Sequence, residues 1–115
     1  MIKDKYLARY STPEDVELFF GDINFTGMTL DKNGVPVGIA GITVIEGIHV
    51  AISDMRERIP PRIIYVNAML FAEFLDKHGG DVYAINYEYP SGLLRRMGFR
   101  FLEKQKEGDV FIWSK

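Results

Sequence analysis

Apolar and polar positions along the chain follow two spacings, and these divide it into strands and helices. Tyr6 to Tyr10 predicts a short first strand. A helix follows, in which Thr12 serves as cap, Pro13 suits the first position, and Glu14 and Asp15 favour the positive end. Val16, Leu18, Phe19 and Phe20 are expected to face inward, and Gly21 stops the helix. Phe25 to Leu30 and Val35 to Val44 predict two strands. Asp31-Lys32-Asn33-Gly34 joins them as a hairpin turn, because Asn-Gly accepts positive φ at little cost. After Gly47, Ile48 to Asp54 predicts a further strand, giving an antiparallel meander.

Met55 to Arg62 reads as a loop. From Arg62 to about Lys77 the spacing of Ile63, Val66, Met69, Leu70 and Phe74 predicts a helix, ended by Gly79-Gly80. Val82 to Ile85 is a short apolar strand, and strand, helix, strand in this order implies a parallel crossover. Ser91 or its neighbours open a short helix, Gly92 to Met97, closed by Gly98. Phe99 to Glu103 and Val110 to Trp113 form a last hairpin across Glu107-Gly108-Asp109. The order β-α-β-β-β-α-β-α-β-β predicts an α/β (α+β) chain, with a mixed, mainly antiparallel sheet and one parallel β-α-β crossover.

Composition narrows the function classes. The 115 residues, 47% hydrophobic and 26% charged, suit one domain over residues 1–115 and argue against disorder. With 14 Lys+Arg against 16 Asp+Glu the net charge is −2, which speaks against nucleic-acid binding through phosphates. The chain has no cysteine, so disulfides, thiolate catalysis and cysteine zinc sites are excluded. Val35 to Ile45, the longest apolar-rich stretch, is broken by Pro36, Gly38, Gly41 and Thr43, too short for the roughly 20 apolar residues of a spanning helix. Together with an N-terminus lacking a signal-peptide core, this predicts a soluble, cytoplasmic protein with no membrane partner.

Two stretches carry a resemblance. Arg9-Tyr10-Ser11-Thr12-Pro13-Glu14-Asp15 and Leu93-Leu94-Arg95-Arg96-Met97-Gly98-Phe99, with Gly34, Val37-Gly38 and Gly41 in the hairpin, resemble the GNAT superfamily of acyl-CoA-dependent N-acyltransferases over nearly the whole chain. The resemblance implies a GNAT-like fold, acetyl-CoA as cofactor and a small-molecule amine or a protein as partner. It also implies a loop after the fourth strand whose N–H groups, with the next helix N-terminus, hold the cofactor pyrophosphate. Here that loop is Ser53-Asp54-Met55-Arg56-Glu57-Arg58-Ile59-Pro60-Pro61-Arg62, which lacks glycine, and its prolines have no N–H. Leu94 stands four residues before the glycine of the Gly-Phe turn, where the family often has a tyrosine as general acid. Gly21 to Asn24 is too short for the family's usual second helix, which helps to shape the acceptor site. Short bacteriophage-encoded relatives, some of them virion- or tail-associated, also look like this chain.

Candidate chemistry centres on that loop and on the strands beside it. Arg56, Arg58 and Arg62 either contact phosphate through their side chains or form a solvated loop with Glu57. Ser53 and Asp54 end the central strand where the parallel crossover starts, and ligands favour the carboxyl ends of such strands. Asp54 is either a base toward an amine or a turn carboxylate, and the N–H of Ile52, Ser53 or Asp54 is the expected oxyanion donor. Tyr87 and Tyr89 either replace the missing acid, with stacking on a ligand as a further role, or pack at the rim. Asn86 falls one residue from a position where the family tends to have asparagine. His49 and His78, far apart in sequence and without partners at a helical metal spacing, predict no metal site. Gly38-Ile39-Ala40-Gly41 reads as a close backbone approach or bulge within a strand. Two functions follow: an acetyl-CoA-dependent N-acetyltransferase with weak or absent turnover, or a non-catalytic binding or virion protein, assembled as a homodimer or into a virion, that kept the fold.

Overall fold

Asn33 and Gly34 adopt φ of 53° and 83°, the left-handed pair that a two-residue hairpin needs, so Lys32 pairs with Val35. Glu46 and Gly47 repeat the arrangement at 51° and 80°, and Ile45 pairs with Ile48. These turns set the register of the first half of a seven-stranded sheet. The computed structural model describes residues 3–86 and 92–115. Its elements are β1 (Tyr6–Tyr10), α1 (Pro13–Phe20), β2 (Phe25–Lys32), β3 (Val35–Ile45), β4 (Ile48–Met55), α2 (Pro61–His78), β5 (Val82–Asn86), α3 (Gly92–Met97), β6 (Arg100–Gln105) and β7 (Gly108–Trp113).

The strand order is β1-β2-β3-β4-β5-β7-β6. Every neighbouring pair is antiparallel except β4 and β5, which run parallel across the α2 crossover. This is the mixed sheet with one parallel crossover that the element order predicts. Among the described residues no helix is long and apolar enough to cross a membrane.

One face of the sheet carries α2. Phe71 and Leu75 of that helix pack with Ile42, Val82, Ala84, Phe99, Phe111 and Trp113, and Leu94 and Met97 of α3 close over the same cluster. The cluster draws on β3 and β4 as well as β5 and β7, so α2 joins the two halves of the sheet by apolar burial. Gly27 and Gly41 face each other across β2 and β3, with the Phe25 ring above them. A Cβ on either would overlap the other strand's backbone, which is the close approach that two glycines permit.

The other face carries α1, and a charged network ties it down. Arg9 holds Asp15 through two hydrogen bonds of 2.6 and 3.0 Å and Asp31 through two of 2.7 and 3.2 Å. Asp15 also accepts from the Thr12 N–H at 2.8 Å and the Thr29 hydroxyl at 3.2 Å, while its own N–H donates to the Thr12 side chain. The capping box and the ion pair therefore share one carboxylate. The sequence shows the cap but not the pair, because Arg9 and Asp31 meet only once β1 lies beside β2.

Several local expectations change. Leu18 is 48% exposed while Val16 is buried, since the eight-residue α1 turns a narrow face to the sheet. In α2 the buried stripe is Ala68, Phe71 and Leu75, with Val66 and Leu70 outside. That helix is apolar on too many sides for spacing alone to choose its inner face. It also starts at Pro61, with Pro60 as its N-cap residue, so Arg62 belongs to the helix. The last turn falls at Lys106-Glu107, with Gly108 at φ 146° already opening β7, and β6 is irregular between Phe101 and Glu103.

The Arg9 hydrogen bonds, aided by the Thr12 cap and against the cost of burial, hold the Asp15 carboxyl well below the usual carboxylate range. Its contribution to stability is complete above the unfolded value of about 3.9 and is lost as pH falls toward the folded value. Asp15→Asn is expected to cost about 2–3 kcal/mol at pH 7, less than a fully buried pair because Arg9 is one-third exposed. In urea unfolding the gap between wild type and variant should narrow by about 1 kcal/mol by pH 3. A constant gap would contradict the assignment.

Candidate functional site

Among the described residues, β4 and β5 share one residue pair, Val50 with Tyr83. Beyond it β4 continues along β3 and β5 continues along β7, and the two strands part. The opening is a cleft of about 750 Å³. Small side chains leave the room: Gly38, Ala40, Ala51, Ala68 and Ala84 all line it, and Phe71, Leu94 and Met97 make its walls apolar. Thr29, Ser53, Asp54 and Asn67 are its polar side chains.

The register fixes which backbone groups face this opening. In an antiparallel pair joined by a two-residue turn, the closing residues exchange both hydrogen bonds and the pattern then alternates. Counting from Ile45–Ile48, the N–H and C=O of Val50, Ile52 and Asp54 turn toward β3. The bond from the Arg56 N–H to the Val37 carbonyl, 2.8 Å, continues that series. His49, Ala51, Ser53 and Met55 therefore direct theirs away from β3. Tyr83 meets those of His49 and Ala51, whereas the Ser53 and Met55 N–H groups point into the cleft past the end of the ladder. Of the three strand amides the sequence offers as donors, the fold turns that of Ser53 to the opening and gives those of Ile52 and Asp54 to β3.

The side chains of β4 also alternate. Ala51 packs against the cluster under α2, so Ser53 lies on the α2 face. Asp54 pairs with Ile39, which pairs with Thr29, and Thr29 bonds Asp15 of α1. Asp54 thus stands on the α1 face, and one cleft presents an amide in the plane of the sheet, a hydroxyl on the α2 face and a carboxylate on the α1 face.

In the loop from Arg56 to Pro60, Arg56 gives its N–H to β3 and Pro60 has none. At the start of α2, Pro61 has none and the Ile63 and Ile64 N–H groups bond the Pro60 carbonyl. Glu57, Arg58 and Ile59 carry the remaining loop amides. The arginines separate into two kinds. Arg56 is turned to α1: it donates to the Leu18 carbonyl at 2.5 Å and lies over the Phe19 ring at 4.7 Å. Arg58 and Arg62 are exposed and form no ion pair among the described residues. Glu57 pairs with Lys32 at 2.7 Å, not with the arginines beside it.

Leu94, at the position of the family's tyrosine, packs on the Phe111 cluster and lines the cleft. Asn86 ends β5 opposite Asp109. Tyr87 and Tyr89, with Ser91, lie outside the described residues. Sequence reasoning missed Asn67, whose side-chain amide bonds the Ile63 carbonyl at 2.8 Å; no pattern around it marks it. The two histidines, read as separate, come together: His78 Nε2 lies 2.8 Å from His49 Nδ1. Their partnership runs between a strand and a helix end, where helical spacing rules have no bearing.

No family model matches the chain, and no curated protein matches it. Solved structures do. The chain is similar to an acetyltransferase of the GNAT family from Streptococcus pneumoniae, at 16% identity, covering 94% of this chain and 96% of that one, with a TM-score of 0.67. It is similar to the ribosomal-protein-S18-alanine N-acetyltransferase from Escherichia coli, at 12% identity over 94% and 91% of the two chains, with a TM-score of 0.63. The PaiA N-acetyltransferase from Thermoplasma acidophilum, solved in complex with coenzyme A, matches at 9% identity over 80% and 62%, with a TM-score of 0.60. At these identities the likeness is one of fold, and the fold is that of the GNAT acetyltransferases.

The different settings of the arginines give a direct test. Arg56→Ala is expected to cost about 1–2 kcal/mol of stability, through the lost carbonyl bond and ring contact. Arg58→Ala and Arg62→Ala should leave stability within about 0.5 kcal/mol. Chemical denaturation of the three variants separates the two kinds. Equal stability losses in all three variants would contradict the division.

Proposed function

We propose that this chain holds the acyl-thioester arm of acetyl-CoA in the cleft between β4 and β5, as an N-acetyltransferase-type protein with little or no turnover. The observation that carries this reading is the Ser53 N–H, left beyond the end of the sheet ladder and turned into an apolar cleft. A donor held there by a strand needs no reorganisation to meet a carbonyl oxygen that gains negative charge. The small residues on both sides fit a narrow, flexible chain.

Under this reading each residue has one task. The Ser53 N–H donates to the thioester oxygen. The Asp54 carboxylate, on the α1 face, takes the proton of an amine that approaches from that side. The amine nitrogen bonds the carbonyl carbon, the carbon–sulfur bond breaks, and the thiolate takes a proton from Tyr87 or Tyr89. Arg58, in the loop before α2, and Arg62, in its first turn, face the diphosphate, with Asn86, at the end of β5, as a further cofactor contact.

The donor set fits the arm better than the diphosphate, and this supports low turnover. Arg56 has given its N–H to β3, Pro60 and Pro61 have none, and the stretch holds no glycine to let the backbone wrap a diphosphate, so the arginines supply part of the contact with mobile side chains. Leu94 has no proton to give, and general acid help is typically worth about 10²–10⁴-fold. These same losses favour the second reading, a non-catalytic binding or virion-associated protein, of phage origin, that kept the fold.

Thermal unfolding with acetyl-CoA at about 100 times its dissociation constant should show about 2.7 kcal/mol of stabilisation, a shift of several degrees. Ser53→Pro removes an N–H that no strand accepts, together with the hydroxyl, and fixes φ; it should abolish most of that shift, while Ser53→Ala, which loses the hydroxyl alone, keeps it. Thiol release with polyamines, amino acids and peptides should stay far below the enzyme median of about 10 s⁻¹. No shift in the wild type would support the non-catalytic reading, and turnover near the median would refute the weak one.

A further inference from the structure

We propose that His49 and His78 form a two-imidazole site for a divalent transition cation of the copper–nickel class. His49 is the second residue of β4 and His78 the last of α2. Their facing nitrogens, Nδ1 and Nε2, are 2.8 Å apart, and the ring centroids are 4.8 Å apart with the planes at 52°. One imidazole can donate a proton to the other across this gap, and a cation bound by both lone pairs would take that proton's place.

The spacing discriminates among metals. Imidazole–metal bonds are about 2.0–2.1 Å. Two such bonds at a right angle span about 2.9 Å between nitrogens, and two at the tetrahedral angle span about 3.3 Å. The 2.8 Å of the hydrogen-bonded, metal-free pair lies nearer the right-angle edge, so the rings need move less to hold a tetragonal Cu²⁺ or Ni²⁺ than a tetrahedral Zn²⁺.

Both ligands are mounted on regular structure. His49 is paired with Val44 in the β3–β4 ladder. His78 follows the fully buried Leu75 by one turn, and Gly79, left-handed at φ 81°, caps the helix with its N–H on the Leu75 carbonyl. Among the described residues no third His, Asp or Glu joins them, so water completes the shell and the cation exchanges freely. The pair is four residues along β4 from Ser53, roughly 13 Å at the rise of a strand, so it is separate from the cleft.

The test is calorimetric titration of the tag-free full chain with Ni²⁺, and with Zn²⁺ for comparison. The expected result is one Ni²⁺ per chain at micromolar affinity, binding tighter than Zn²⁺, with an upward shift in melting temperature. His49→Ala and His78→Ala should each weaken Ni²⁺ binding about tenfold or more. Should either variant fail to fold, His49→Gln keeps the size and hydrogen bonding and should lose the metal equally. Acetyl-CoA binding should not change in any of them. Undiminished Ni²⁺ affinity in these variants, tighter binding of Zn²⁺, or no saturable binding to the wild type would overturn the proposal.

Discussion

The site depends on how little joins the two halves of the sheet. Val50 and Tyr83 are the pair at which β4 and β5 meet, and past that point each strand follows its other neighbour. Open strand edges inside a protein are costly, because backbone donors and acceptors without partners lose water. Here the cost is limited because the parted edges border a cleft that solvent or a ligand can fill. The apolar cluster under α2, from Ile42 to Trp113, holds the halves together where the ladder does not.

What the opening contains follows from two features that serve different ends. The Glu46-Gly47 turn sets which β4 amides face outward, so the Ser53 donor is positioned by turn chemistry several residues away. The small residues Gly38, Ala40, Ala51, Ala68 and Ala84 set the width. Neither feature depends on the loop at Arg56 to Pro60, which is why the cleft keeps its form although that loop has no glycine. Under the proposed function, the backbone supplies the fixed donor at Ser53, and Leu94 supplies no acid.

Much of the fold is legible in the sequence, where local chemistry and tertiary packing agree. Asn33-Gly34 specifies its turn, Thr12 to Asp15 specifies a helix start, and the strand–helix–strand order specifies the parallel crossover. The inner face of α2 is not legible, because Tyr65, Val66 and Leu70 are as apolar as the residues that are buried. Arg56 reads as one of three equivalent arginines until α1 is seen beside it. The bond between Arg9 and Asp31 and the meeting of His49 with His78 depend on strand and helix placement that no local spacing encodes. The direction of the Ser53 amide lies between these cases: it follows by counting from a two-residue turn, once that turn is known to close at Ile45 and Ile48.

Amide hydrogen exchange along β4 tests the central claim most directly. If the ladder ends at Val50–Tyr83, the Ile52 and Asp54 amides are protected by their bonds to β3, while the Ser53 amide between them exchanges as an open one. Under the proposed function, acetyl-CoA should slow Ser53 and leave its two neighbours unchanged. Protection of Ser53 equal to that of Ile52 and Asp54 in the free protein would mean that its N–H already has a partner, and would contradict the account of the cleft.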